Sequence, residues 1–185
     1  MTKAKAGIYN LPNLLSLIRI LLVIPFTIGI FMDNTGAKVV AIICFAVASL
    51  TDFVDGRLAR KYDMVTKLGK FLDPLADKML VNLAFLSLVA LGQVPVWVFA
   101  VILVRDFMVD GLRMIAASNG VTIAASKIGK IKTLTQMVTL IMVMINMITE
   151  NPILANINSV MLVVVVIITV ASGLDYLIKG RKLMI

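Results

Sequence analysis

Six apolar runs follow one another along this chain and use up most of its 185 residues. They cover Leu14–Met32, Val39 to about Asp55, Leu72–Leu91, Val94–Ala117, Ile131–Ile148 and Ile157–Ile178. A bilayer's hydrocarbon core is crossed by roughly 20 apolar residues of helix. Inside lipid each backbone N–H and C=O must find a partner within the protein, which leaves helices as the economical solution for runs of this length. The pattern therefore predicts an all-α integral membrane protein with six transmembrane helices, the second turning polar early and extending into water. Composition agrees: 61% of residues are hydrophobic and mean hydropathy is +1.03, against about 45–50% apolar in soluble domains. The connections DNTGAK, GQVP and TENP carry turn residues. With no repeat and no long linker, the expectation is one domain over residues 1–185, with 1–12 as a short N-terminal juxtamembrane segment. Met1–Tyr9 is short and basic, and the run after it is long enough to span, so a first helix is expected there rather than a cleaved leader.

Lysine and arginine placement orients the six spans. With both termini on one side, that side receives Lys3, Lys5, Arg57, Arg60, Lys61, Lys67, Lys70, Lys127, Lys130, Lys132, Lys179, Arg181 and Lys182, while the opposite loops hold only Lys38. The positive-inside bias then puts both termini in the cytoplasm. The net charge of +8 in so apolar a chain suits anionic lipid or phosphate. No RNA- or DNA-binding module is legible, so nucleic acid is not an expected partner. The chain has no histidine, and Cys44 is its single cysteine. That removes imidazole bases, Cys/His nucleophile pairs, zinc sites and internal disulfides. Chemistry must come from carboxylates, hydroxyls, basic groups or a metal held through oxygen.

The acids concentrate where apolar helices should begin and end. Asp52 and Asp55, spaced i, i+3, share one face of a helix, and Asp73 and Asp77, spaced i, i+4, share a face of the next. Two antiparallel helices joined near Lys61–Lys67 would turn all four carboxylates into one gap. Hard oxygen donors of this kind suit Mg²⁺, Mn²⁺ or Ca²⁺, and two-metal phosphoryl-transfer sites use them. Two other readings stand beside this one: acids paired with Arg57, Arg60, Lys61 and Lys78, or a carboxylate-lined ion pathway. Gly56 and Gly69 would let a ligand approach the backbone, or equally let two helices pack closely.

Together Asp52, Asp55, Gly56, Ala59, Arg60, Gly69, Asp73 and Asp77 spell D-x2-D-G-x2-A-R-x8-G-x3-D-x3-D. This resembles the signature of the CDP-alcohol phosphatidyltransferase family at every fixed position. Chance agreement is on the order of once in 10⁹ starts at ordinary residue frequencies. The resemblance implies the six-span fold of that family. It implies further that Asp52, Asp55, Asp73 and Asp77 hold two divalent cations, Mg²⁺ or Mn²⁺, and that Asp77 is the general base. Gly56, Ala59, Arg60 and Gly69 would surround the cytidine nucleotide of CDP-diacylglycerol. A bacterial plasma membrane, an active site facing the cytoplasm and a homodimer are also implied.

The likeness extends beyond the signature. NLPNLLSLIRILLVIPF, from Asn10 to Phe26, together with 105-RDFMVDGLR-113, 126-SKIGKIKT-133 and 173-GLDYLIKGRK-182, is similar to the phosphatidylglycerophosphate synthase branch of the family. Asp106 departs from the glutamate expected there. The branch uses sn-glycerol 3-phosphate as acceptor, which makes Arg105, Arg113, Lys130 and Lys132 the candidate phosphate pocket; anchoring to lipid headgroups is the alternative for the lysines. Arg105 should lie roughly 12 Å deeper along its helix than Arg113. A partner is needed there, either substrate phosphate, Asp106, Asp110 or an aspartate of the cluster. Arg19 could face the active site or snorkel to the interface. Acceptors such as phosphatidylglycerol, inositol phosphate or serine define alternative activities within the family. A divalent cation transporter is the alternative outside it, disfavoured because the acids gather at one membrane face. A structural scaffold would leave the acidic cluster without a reason.

Overall fold

The computed structural model describes the backbone of residues 11–61, 67–121 and 126–180, and the side chains of 13–51, 75–121 and 126–180. Among the described residues there are six helices and no strand: α1 (Leu11–Phe31), α2 (Thr35–Lys61), α3 (Lys67–Ala90), α4 (Val96–Ser118), α5 (Lys127–Thr149) and α6 (Pro152–Gly180). Three stretches are long and apolar enough to cross a membrane: Asn13–Phe31, Lys127–Thr149 and Pro152–Gly180. In α2 a shorter apolar stretch, Thr35–Thr51, precedes the charged end of the helix. Charge interrupts the other two. Lys67, Lys70, Asp73, Asp77 and Lys78 fall on α3, and Arg105, Asp106, Asp110 and Arg113 on α4.

Short polar caps set where the helices begin. The Asn34 carboxamide oxygen accepts from the N–H groups of Gly36 at 2.7 Å and Ala37 at 3.3 Å, opening α2. Ser126 opens α5 in extended conformation, its Oγ accepting from the Gly129 N–H at 3.0 Å. These bonds satisfy donors that a helix leaves orphaned in its first turn. Between α5 and α6 only Glu150 and Asn151 intervene. Glu150 turns left-handed at φ 47°, its N–H bonding back to the Asn146 carbonyl. Asn151 Oδ1 accepts from Ile153 N at 2.9 Å, with Pro152 occupying the first helical position, where no donor is missed.

The chain divides into two compact units, Met1–Ser87 and Leu88–Ile185. In the first, α1 packs along α2. Phe26, Ile30, Ala41, Phe45 and Ala48 are fully buried, with the rings of Phe26 and Phe45 tilted at 44° and 5.7 Å apart. The two backbones meet at Gly29: a Cβ there would sit 2.8 Å from the Ala37 carbonyl oxygen and 3.2 Å from Ala41 Cβ. In the second unit α6 packs against both α4 and α5. The Asn158 Nδ2 donates across to the Met142 carbonyl at 3.4 Å. Val160, Val163, Ile167, Val170, Leu174 and Ile178 lie exposed along α6. Lipid can cover such a stripe, whereas on a water-soluble monomer it would be an adhesive patch.

Gly29→Val would drive a branched side chain into the Ala37 carbonyl. The expected outcome is a loss of about 1–3 kcal/mol in stability, read as a lower unfolding midpoint of the detergent-purified protein. A midpoint equal to wild type would show that the two helices can separate there at no cost.

Candidate active site

Helices α2 and α3 carry the acidic signature on either side of the chain segment that links them. Asp52, Asp55, Gly56, Ala59 and Arg60 fall in the last turns of α2, and Gly69, Asp73 and Asp77 in the first turns of α3. The i, i+3 and i, i+4 spacings therefore lie within unbroken helix, the condition for each pair to share a face. The side chains of Asp52, Asp55, Ala59, Arg60 and Asp73, and the surroundings of Gly56 and Gly69, lie outside the described residues. Asp77 lies within them, partly exposed, and its Oδ1 accepts from Arg19 Nη1 at 3.3 Å.

That contact settles where Arg19 points. Its side chain is entirely buried, which excludes snorkelling. Asn13, Ser16, Arg19, Val23, Phe26 and Ile30 form one buried stripe along α1, spaced three or four residues apart. The stripe is polar for its first two turns and apolar thereafter, so α1 directs a cation to Asp77 while its remainder packs on α2. Among the described residues no three His, Cys, Asp or Glu side chains gather, and three of the four signature aspartates fall outside that set. The donor chemistry of the signature, all carboxylate oxygen, fits a hard divalent cation.

In the second unit the expected acceptor residues divide into a buried Lys132 with a part-buried Arg105, and two exposed groups. Asp106 on α4 is buried, and its Oδ1 accepts from Arg105 Nη1 at 3.0 Å and from Lys132 Nζ, on α5, at 2.6 Å. Arg105 also donates from Nη2 to Ser172 Oγ on α6. One carboxylate thus holds two cations at the junction of three helices, leaving the trio with net positive charge. Gly173 permits this approach: a Cβ there would meet Arg105 Cγ at 3.3 Å and Met108 Cε at 3.2 Å. Arg113, two turns further along α4, is exposed and donates from Nη2 to the Tyr176 hydroxyl at 2.7 Å. Lys130 is exposed in the first turn of α5.

Sequence reasoning named Asp106 as one possible partner of Arg105 but assigned it no role. It passed over Ser172 and Tyr176 as individuals. The usable signal was the physical demand for a counter-ion at Arg105, which leaves Asp106 as the adjacent acid. Nothing in the spacing of the chain points from Arg113 to Tyr176, because that contact depends on how α4 and α6 pack.

The sequence profile of the CDP-alcohol phosphatidyltransferase family matches residues 9–171. A CDP-diacylglycerol–glycerol-3-phosphate 3-phosphatidyltransferase of Bacillus subtilis is 38% identical over 184 residues, covering 93% of this chain and 95% of its own length. A probable phosphatidylglycerophosphate synthase of Mycobacterium tuberculosis is 38% identical over 181 residues, covering 96% of this chain and 85% of its own. A Rickettsia felis protein named like the first is 33% identical over 174 residues, covering 94% of this chain and 96% of its own.

Asp106→Ala would strand Arg105 and Lys132 without their shared anion in a low-dielectric setting. Breaking such a pair costs about 3 kcal/mol, measurable as a fall in the unfolding midpoint in detergent. Asp106→Ala combined with Lys132→Met should recover part of the loss. A double variant no more stable than the single one would mean that the carboxylate is not there to balance Lys132.

Proposed function

The chain belongs to the CDP-alcohol phosphatidyltransferase family, and on that footing we propose that it transfers the phosphatidyl group of CDP-diacylglycerol to sn-glycerol 3-phosphate, releasing CMP. The observation carrying this reading is end-to-end similarity to proteins bearing that activity in their names, with the eight-residue signature intact. The cationic character around Arg105, Lys132 and Arg113 supports an acceptor that is itself an anion.

Asp52, Asp55, Asp73 and Asp77 would hold two divalent cations, Mg²⁺ or Mn²⁺, which would offset charge on the pyrophosphate and on departing CMP. Asp77 takes the proton from the acceptor hydroxyl. That oxygen forms a bond to the phosphorus bearing diacylglycerol, and the bond from this phosphorus to the bridging oxygen breaks, its electron pair leaving with CMP. Arg19, bonded to one oxygen of Asp77, fixes the direction from which the carboxylate meets that proton. Gly56, Ala59, Arg60 and Gly69 line the cytidine nucleotide. Arg105, Arg113, Lys130 and Lys132 receive the acceptor's phosphate, Arg105 and Lys132 being held by Asp106 and Arg113 by Tyr176.

The whole chain acts as one catalytic domain with six membrane spans and cytoplasmic termini, in a bacterial plasma membrane and as a homodimer. The active site faces the cytoplasm, where a water-soluble acceptor can reach it while the acyl chains of the donor remain in lipid.

Purified protein in mixed micelles should release CMP when glycerol 3-phosphate is the sole acceptor, should stop with EDTA, and should resume with Mg²⁺ or Mn²⁺. Release with inositol phosphate, serine or phosphatidylglycerol but not with glycerol 3-phosphate would replace the acceptor and keep the family chemistry. Asp77→Asn should lower turnover by about 10³-fold while CDP-diacylglycerol still binds; near-normal turnover would remove Asp77 as base. Arg113→Ala should raise KM for glycerol 3-phosphate about tenfold and leave KM for CDP-diacylglycerol within twofold. An equal rise in both would argue against contact between Arg113 and the acceptor.

A further inference from the structure

We propose that Tyr176 is a positioning residue for the acceptor, a clamp that holds Arg113 in the orientation in which it grips the phosphate of glycerol 3-phosphate; this rests on the acceptor reading above. Tyr176 is a large aromatic on α6 and is almost fully buried, at 2% exposure. Its hydroxyl oxygen accepts two hydrogen bonds, one from Arg113 Nη2 at 2.7 Å and one from the backbone N–H of Ser126 at 3.0 Å. Its ring lies within cation–π reach of two guanidinium groups, with Arg113 Cζ 5.2 Å and Arg105 Cζ 5.4 Å from the centroid.

Each contact does separate work. The Ser126 N–H comes from the residue that caps α5, so the phenol oxygen is fixed to the start of that helix. The ring edge packs on Gly129, where an added Cβ would meet Tyr176 Cε2 at 3.5 Å. A side chain anchored in this way cannot swing, and the group it bonds is held with it. Arg113 needs such a hold because it is exposed. A long side chain at the surface otherwise samples many rotamers and loses that freedom only on binding, at the expense of affinity. The phenol uses one Nη2 hydrogen, leaving the fork's other donors for a doubly bonded phosphate.

The arrangement also relieves a conflict. Arg105 and Arg113 carry like charges and are both drawn to one ring, and Lys132 shares Asp106 with Arg105. A neutral, polarisable ring with an acceptor oxygen gathers cations without neutralising them, which a carboxylate at 176 could not do. Positive charge is thereby preserved for an incoming anion.

Tyr176→Phe deletes the hydroxyl and keeps the ring. It should raise KM for glycerol 3-phosphate about tenfold, with kcat and KM for CDP-diacylglycerol within twofold of wild type. In an Arg113→Ala background the same substitution should add less than twofold, since the clamp acts through Arg113. Ser126→Ala, which removes the α5 cap but keeps the N–H to the phenol, should lower the unfolding midpoint without moving either KM. The proposal falls if Tyr176→Phe leaves the acceptor KM unchanged, if both KM values rise together, if its effect multiplies in full with that of Arg113→Ala, or if the variant cannot be recovered folded. Wild-type protein inactive with glycerol 3-phosphate would overturn the acceptor reading and the clamp's role with it. An active wild type with an unaffected Tyr176→Phe overturns the clamp alone.

Discussion

An ionised side chain surrounded by apolar helices persists only if something nearby compensates it, and that requirement governs both units of this chain. In the first, Arg19 is wholly buried on α1 and meets Asp77 of α3. In the second, Asp106 answers two cations from different helices, and Ser172 and Tyr176 each supply a neutral oxygen to one guanidinium donor. Deep charge is expensive enough that its pairing fixes which faces of α4, α5 and α6 turn inward. Apolar packing alone would leave those helices free to rotate among nearly equivalent contacts, because their lipid-facing residues are as greasy as much of the core.

The pairing also gives the chemistry a physical footing. The proposed phosphatidyl transfer brings together a pyrophosphate donor and a phosphate-bearing acceptor. Both are anionic, and the acidic signature adds further negative charge. In the proposed mechanism divalent cations would offset the donor side. Around Asp106, in the region proposed for the acceptor, the excess of cations over carboxylate leaves a positive field, and in an apolar surround such a field is stronger than at a water-exposed surface.

Much of the architecture was legible in the order of residues. The fourth apolar run, Val94–Ala117, became α4 at Val96–Ser118. Hydropathy and structure differ at the helix ends, because capping rather than apolarity sets them. The fifth run was expected from Ile131, yet α5 begins at Lys127 because Ser126 caps it. The sixth was expected from Ile157, yet α6 begins at Pro152 because Asn151 caps it. The second helix continues past its apolar stretch to Lys61, since helical backbone bonding does not require apolar side chains once the chain leaves lipid. The site was legible as residue types and spacings within one helix, as with Asp73 and Asp77. Contacts between helices were not, since Arg19 with Asp77 and Arg113 with Tyr176 are separated by 58 and 63 positions and depend on the angle at which helices cross.

The link between α5 and α6 constrains how the protein is assembled. Two residues, Glu150 and Asn151, leave no slack between the fifth helix and the sixth. If both cross a membrane, for which each is long and apolar enough, they enter as a hairpin whose bend is closed by the bonds from the Glu150 N–H to Asn146 and from the Ile153 N–H to Asn151. Their insertion would then be a single event, with the backbone donors and acceptors of both helices already satisfied within the hairpin.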